Sequence, residues 1–190
     1  MAKLFVLIGL PGAGKSTFAQ IVKERNRRVK YLSSDELRKE FCDFKDNHSK
    51  IFDIMNKRTI YMLKENNNVI YDSTNLERRY RIDLFNQIRM SLLENVKVEA
   101  VFIHNGLNRA IEQSNKRKNR DDVNEELIRN MYKTMQLPSI NIDCHEIIVP
   151  YICYNNNEFN LEYCSIYKND EDFHRYVKEV DVDLYKRDLK

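Results

Sequence analysis

One stretch limits what this chain can fold into more than any other: Gly9-Leu10-Pro11-Gly12-Ala13-Gly14-Lys15-Ser16-Thr17. It follows an apolar run, Leu4-Phe5-Val6-Leu7-Ile8, that reads as a buried strand. It precedes Phe18-Ala19-Gln20-Ile21-Val22, which continues as an amphipathic helix. A strand, a Gly-rich turn and then Lys-Ser-Thr opening a helix form a phosphate-cradling loop in its proper context. Glycines let the backbone curl until several N–H groups converge on one anion, and the helix N-terminus adds its positive end. Gly12, Ala13, Gly14, Lys15, Ser16 and Thr17 are therefore the expected contacts of a nucleoside triphosphate, ATP or another NTP. Lys15 brings a mobile charge to the β- and γ-phosphates, and the Ser16 hydroxyl is placed for Mg2+.

At 190 residues the chain suits one domain spanning residues 1–190, long enough for a substantial core. A net charge of +3 does not by itself announce a nucleic-acid partner. Two basic clusters stand out locally, Lys23 to Lys30 and Arg109 to Arg120; a solvated helix face accounts for the first more readily than for the second, which sits between two helices. Cys42, Cys144, Cys153 and Cys164 have neither metal-ligand nor redox-motif spacing. Reduced thiols in a cytoplasmic protein are the expectation. The apolar N-terminal run passes straight into the phosphate loop, so cleaving it as a leader would destroy the site. No stretch has the length of a membrane span, and no membrane partner is expected. Oligomeric state is left open.

Apolar runs alternate with longer helical patterns. Val29 to Leu32, Val69 to Tyr71, Val96 to Ile103 and Glu146 to Val149 read as further strands. A helix is predicted from Ser33 to Phe44, opened by a Ser33/Glu36 capping pair, and another ends at Asn66-Asn67-Asn68. The segment from Glu77 to Leu93 is read as a helix with Ile82, Phe85, Ile88, Met90 and Leu93 facing inward. Leu107 to Lys118 and Glu125 to Met135 are read as two helices joined as a lid. The expectation is an α/β three-layer sandwich around a five-stranded parallel sheet. It occupies a core over residues 1–150, and 151–190 add a β-hairpin around Asn155-Asn156-Asn157 and a final helix over Glu171 to Val180.

In such sheets ligands gather at the carboxyl ends of the strands. After the second strand, Asp35 and Arg38 are three apart at a helix start and share a face. A carboxylate and a guanidinium there suit deprotonating an acceptor and gripping an anionic group on it; equally, they suit supporting the helix end. After the third strand, Asp72-Ser73-Thr74-Asn75 offers Asp72 to orient a metal-bound water or an arginine, or simply to cap a helix. Arg117 and Arg120, in the basic segment between the lid helices, are candidates to clamp a transferring phosphate. An arginine in that role is worth about 10³–10⁵ in rate.

These elements, in order, resemble the 5′-polynucleotide kinase branch of P-loop phosphotransferases. The resemblance runs through the glycine loop, Ser34-Asp35-Glu36-Leu37-Arg38, Val69-Ile70-Tyr71-Asp72-Ser73-Thr74-Asn75-Leu76 with Glu77-Arg78-Arg79, and Asn115-Lys116-Arg117 leading into Met131-Tyr132-Lys133. It implies that Lys15, Ser16 and Thr17 hold the triphosphate and Mg2+, and that Asp35 is the base on a 5′-hydroxyl of RNA or DNA. Arg38, with Asp72 and Asn75 beside it, would serve the acceptor side, and a lid arginine, Arg117 or Arg120, would meet the γ-phosphate. Many relatives have Val-Pro after the lid where this chain has Val123-Asn124. Some carry a 3′-phosphatase with an Asp-x-Asp-x-Thr motif; Asp181-Val182-Asp183 lacks the threonine, so kinase activity alone is expected. Two other classes fit the same loop: a kinase acting on a small molecule or nucleoside, and a P-loop ATPase or switch that transfers to no acceptor.

Overall fold

The computed structural model describes residues 1–26, 28–91, 95–116, 123–155 and 158–188. Strand β1, Lys3–Ile8, lies inside a six-stranded sheet of order β2-β3-β1-β4-β5-β6. The others are β2 (Lys30–Ser33), β3 (Val69–Asp72), β4 (Lys97–Phe102), β5 (Glu146–Asn155) and β6 (Glu158–Tyr167). The first five run parallel; β6 pairs antiparallel with β5. Leu4, Leu7 and Ile8 of β1 are wholly buried, because a central parallel strand is covered on both faces.

Helix α1 (Lys15–Arg25) carries the chain from β1 out to β2. The next connection, α2 (Ser34–Glu40) with α3 (His48–Lys64), returns in the opposite direction to β3. Right-handed crossovers running in opposite directions fall on opposite faces, so α1 covers one face while α3 covers the other. α4 (Arg78–Met90) contacts α3 and leads to β4. α5 (Leu107–Asn115) and α6 (Glu125–Thr134) contact each other between β4 and β5, and α7 (Asp170–Val180) with α8 (Val182–Asp188) closes the chain.

The sheet has six strands where five and a separate hairpin were expected. β5 continues through Pro150 because its pairing with β4 ends at Val101–Ile148. Beyond that point one edge of β5 is unpaired, and a proline without an N–H is tolerated there. The predicted Ser33–Phe44 helix stops at Glu40 and gives way to a 3-10 turn over Cys42–Phe44, where the Phe41 and Phe44 rings stack at 5.2 Å. On α4, Leu84, Phe85 and Ile88 face inward with Arg81, whereas Met90 is 83% exposed. Two residues beyond Ile88, a 100° step per residue carries Met90 to the opposite face; Leu93 lies outside the described residues. The turn of helix α8 was not anticipated.

Candidate active site

The glycine loop is pinned at the ends of two strands: Gly9 N donates to Thr74 O at 3.1 Å, and Ile103 N to Ile8 O at 2.8 Å. Gly12 takes φ +83°, and a Cβ there would collide with the Ala110 carbonyl of α5, so only glycine fits. Gly14, at φ +105°, turns the chain into α1. The first turn of α1 contains no acidic residue and no side-chain cap; Phe18 N is the first helix amide to bond within it, to Gly14 O. A helix start with no acidic residue of its own and no side-chain cap suits phosphate oxygens. Lys15 Nζ donates to the carbonyls of Gly9 and Leu10, both at 2.9 Å, which holds its charge over the loop.

A cleft of about 260 Å³ opens beside this loop. The phosphate side is Gly12, Gly14, Lys15 and Ser16; the opposite wall is Asp35 and Arg38 of α2 with His48 and Phe52 of α3. Ser33 caps α2, its hydroxyl accepting from Asp35 N at 3.2 Å, and so fixes where Asp35 begins. Arg38 is held by the carbonyl of Lys45 and by His48, whose Nδ1 lies 3.0 Å from Nη2. The expected pair therefore does share one cleft with the phosphate loop.

Asp72 forms the floor. It is 6% exposed, at the end of β3, and its Oδ2 accepts from the Tyr31 hydroxyl at 2.6 Å and lies 3.5 Å from Ser16 Oγ. Burial pushes the Asp72 carboxyl above its ordinary range, and the Tyr31 hydrogen bond and the Lys15 charge pull against that shift. Among the described residues no cluster of three His, Cys, Asp or Glu side chains could cage a metal alone. Mg2+ binds through one or two protein oxygens plus phosphates and water. Ser16 and Asp72, side by side at the loop, are the residues that fit it.

Not every expected residue lines the cleft. Asn75, at φ +48°, donates its Nδ2 to Leu7 O at 2.7 Å and so anchors the loop after β3 to β1. Ala13 is buried within the loop, and Thr17 is absent from the lining. Arg117 and Arg120 lie outside the described residues. Conversely, the cleft is also lined by His48, Phe52, Ser34, Val123, Leu127 and Met131, none of which was named as a site residue from the sequence. The spacing of four between those last residues was a legible sign of one helix face. No signal marked His48 or Phe52, whose place depends on how α3 packs.

Comparisons with known proteins bear on this geometry. The family model described as an AAA domain, AAA_33, matches residues 4–138. The chain is similar to the L-seryl-tRNA(Sec) kinase of Methanococcus maripaludis, 28% identical over 97% of this chain and 76% of the relative. Among solved structures, a fungal RNA kinase superposes with a TM-score of 0.58 at 14% identity, covering 97% of this chain and 88% of the other. A chain of the Pnkp1/Rnl/Hen1 RNA repair complex superposes with a TM-score of 0.53 at 21% identity, over 68% of this chain. This chain spans 42% of that protein's length. At these identities the structural likeness is one of fold. No described helix is long and apolar enough to cross a membrane.

Proposed function

Because the chain belongs to the AAA_33 family and is a P-loop kinase of that type, we propose that it transfers the γ-phosphoryl group of ATP to a 5′-hydroxyl of RNA or DNA. One observation carries the reading: Asp35 and Arg38 line the same cleft as Lys15 and Ser16. A binder that only hydrolyses needs no second wall of this chemistry. Supporting it, the similar proteins include kinases whose names specify RNA or tRNA.

Asp35 accepts the proton of the acceptor hydroxyl as its oxygen bonds to the γ-phosphorus. The bond from that phosphorus to the β,γ-bridging oxygen breaks, and ADP leaves with the electron pair. Lys15 and the loop amides hold the charge that builds on the phosphate oxygens. Mg2+, held at Ser16 and Asp72, supplies further neutralisation of the triphosphate when bound. Arg38 binds an anionic group on the acceptor, and Arg117 or Arg120 meets the γ-phosphate from the lid. The domain is read as one unit over residues 1–190.

A second acceptor is favoured by the 28% identity to a seryl-tRNA kinase across nearly the whole chain, namely a hydroxyl on an aminoacyl group of tRNA. The test is γ-labelled ATP with 5′-hydroxyl RNA and DNA oligomers, 3′-nucleotides, nucleosides and seryl-tRNA. Label on the oligomers and a strong preference for 3′-nucleotides over nucleosides is the expected outcome. Label on seryl-tRNA alone selects the second acceptor, and equal turnover of nucleosides selects a small-molecule kinase. Free phosphate with no labelled acceptor overturns transfer altogether. Asp35→Ala is expected to cost about 10²–10⁴ in rate with ATP binding intact.

A further inference from the structure

We propose that Tyr31 is a positioning residue for the metal-phosphate end of this site: its hydroxyl fixes the Asp72 carboxylate so that one oxygen stays beside Ser16 and the other stays available to the cleft. The inference rests on the ATP and Mg2+ part of the function above and is independent of which acceptor is used.

Tyr31 lies on the edge strand β2, two residues before the Ser33 cap of α2. Its hydroxyl donates to Asp72 Oδ2 at 2.6 Å, and the same oxygen lies 3.5 Å from Ser16 Oγ. Among the described residues Oδ1 accepts no hydrogen bond, and Asp72 lines the cleft. One carboxylate oxygen is thus tied to the protein while the other remains for a ligand or its water. Strand pairing does not require this bond, because β2 and β3 are in register from Lys30–Val69 to Ser33–Asp72 through their backbones. Nor does packing require it, since a phenylalanine ring would fill the same space. A groove of about 660 Å³ runs along one side of Tyr31 and meets the cleft at Ser16. Lys23 Nζ stands 4.9 Å from the centre of the ring there. Burial first, then the Asp72 charge, pushes the Tyr31 phenol well above the ordinary tyrosine range. The charged groups that face Asp72 are Lys15, which favours the carboxylate, and Asp35, which opposes it. A carboxylate in this setting turns more readily without its donor.

The experiment is Tyr31→Phe, with ATP affinity measured by calorimetry with and without Mg2+. The variant is expected to lose about 10-fold of the affinity that Mg2+ adds, while metal-free affinity stays at the wild-type value and the chain still melts cooperatively, with a modest fall in melting temperature from the lost hydrogen bond. In an Asp72→Asn background, Tyr31→Phe should add no further loss. Equal losses with and without Mg2+, an intact Mg2+ gain, or losses additive with Asp72→Asn would each overturn the proposal. A wild-type chain that binds no ATP overturns the site and this inference together. One that binds MgATP but labels no acceptor overturns the assigned function alone.

Discussion

Two buried charged clusters lie at opposite ends of the loop that follows β3, and they are built on opposite principles. At one end, Arg81 is 3% exposed and makes four hydrogen bonds: to Asp143 at 2.8 Å, to the carbonyls of Asn75 and Leu76, and to that of Leu137 at 2.9 Å. Asp143 in turn accepts from Ser139 N at 2.8 Å. Its polar groups are answered from within the chain, so the cluster joins α4, the loop after β3 and the segment before β5. At the other end, Asp72 is nearly as buried, yet one of its oxygens is tied by Tyr31 and Ser16 while the residue lines an open cleft with Lys15, Asp35 and Arg38. A closed network rigidifies; an open one leaves charge for a ligand to complete. Burial alone therefore does not mark a functional group; unfinished hydrogen bonding beside a cavity does.

The comparison is sharpened by breaking each cluster in turn. Arg81→Ala leaves Asp143 buried without its partner and should destabilise the fold by about 3–5 kcal/mol, read as a fall in the urea midpoint. Loss of activity would follow unfolding rather than precede it. Lys15→Ala should leave the urea midpoint in place and reduce phosphoryl transfer by about 10³-fold, read by single-turnover kinetics. If instead Arg81→Ala were stable and inactive, the closed cluster would be part of the chemistry. Arg38→Ala should raise the KM of a 3′-phosphorylated acceptor by about 10-fold with little change for a bare nucleoside.

The smallest effect concerns Asp72→Asn. The Asp72 pKa is raised on folding, so ionising it costs stability once pH exceeds the unfolded value, and that cost persists at neutral pH. The asparagine variant should melt slightly higher than wild type at pH 7, with the gain vanishing in acid, while transfer falls. An equal melting temperature at both pH values would place Asp72 in an unstrained setting.

Much of this was readable in the sequence because it is local. The strand-loop-helix order around Gly9–Thr17 depends on glycine φ angles and the apolar run before it, and it stands where expected. Asp35 and Arg38 were readable because a helix start with a spacing of three puts both on one face. That Asn75 donates to Leu7 O was not readable, because the partner is far away in sequence. On α4, Phe85 and Ile88 face inward as expected and Met90 does not; Arg81 was missed because no hydrophobic pattern announces a buried arginine.

Local chemistry along the chain thus determined the phosphate loop, the alternating α/β architecture and the carboxylate-guanidinium pair. These rest on backbone conformation and on spacing within one turn of helix. Only the tertiary structure decided that Tyr31 on β2 meets Asp72 on β3, that His48 holds Arg38, and that residues beyond Pro150 extend the sheet. Those contacts follow from strand order and helix packing. Each depends on which distant segments end up side by side, and the energy of that choice is spread over the whole core rather than encoded at any one position.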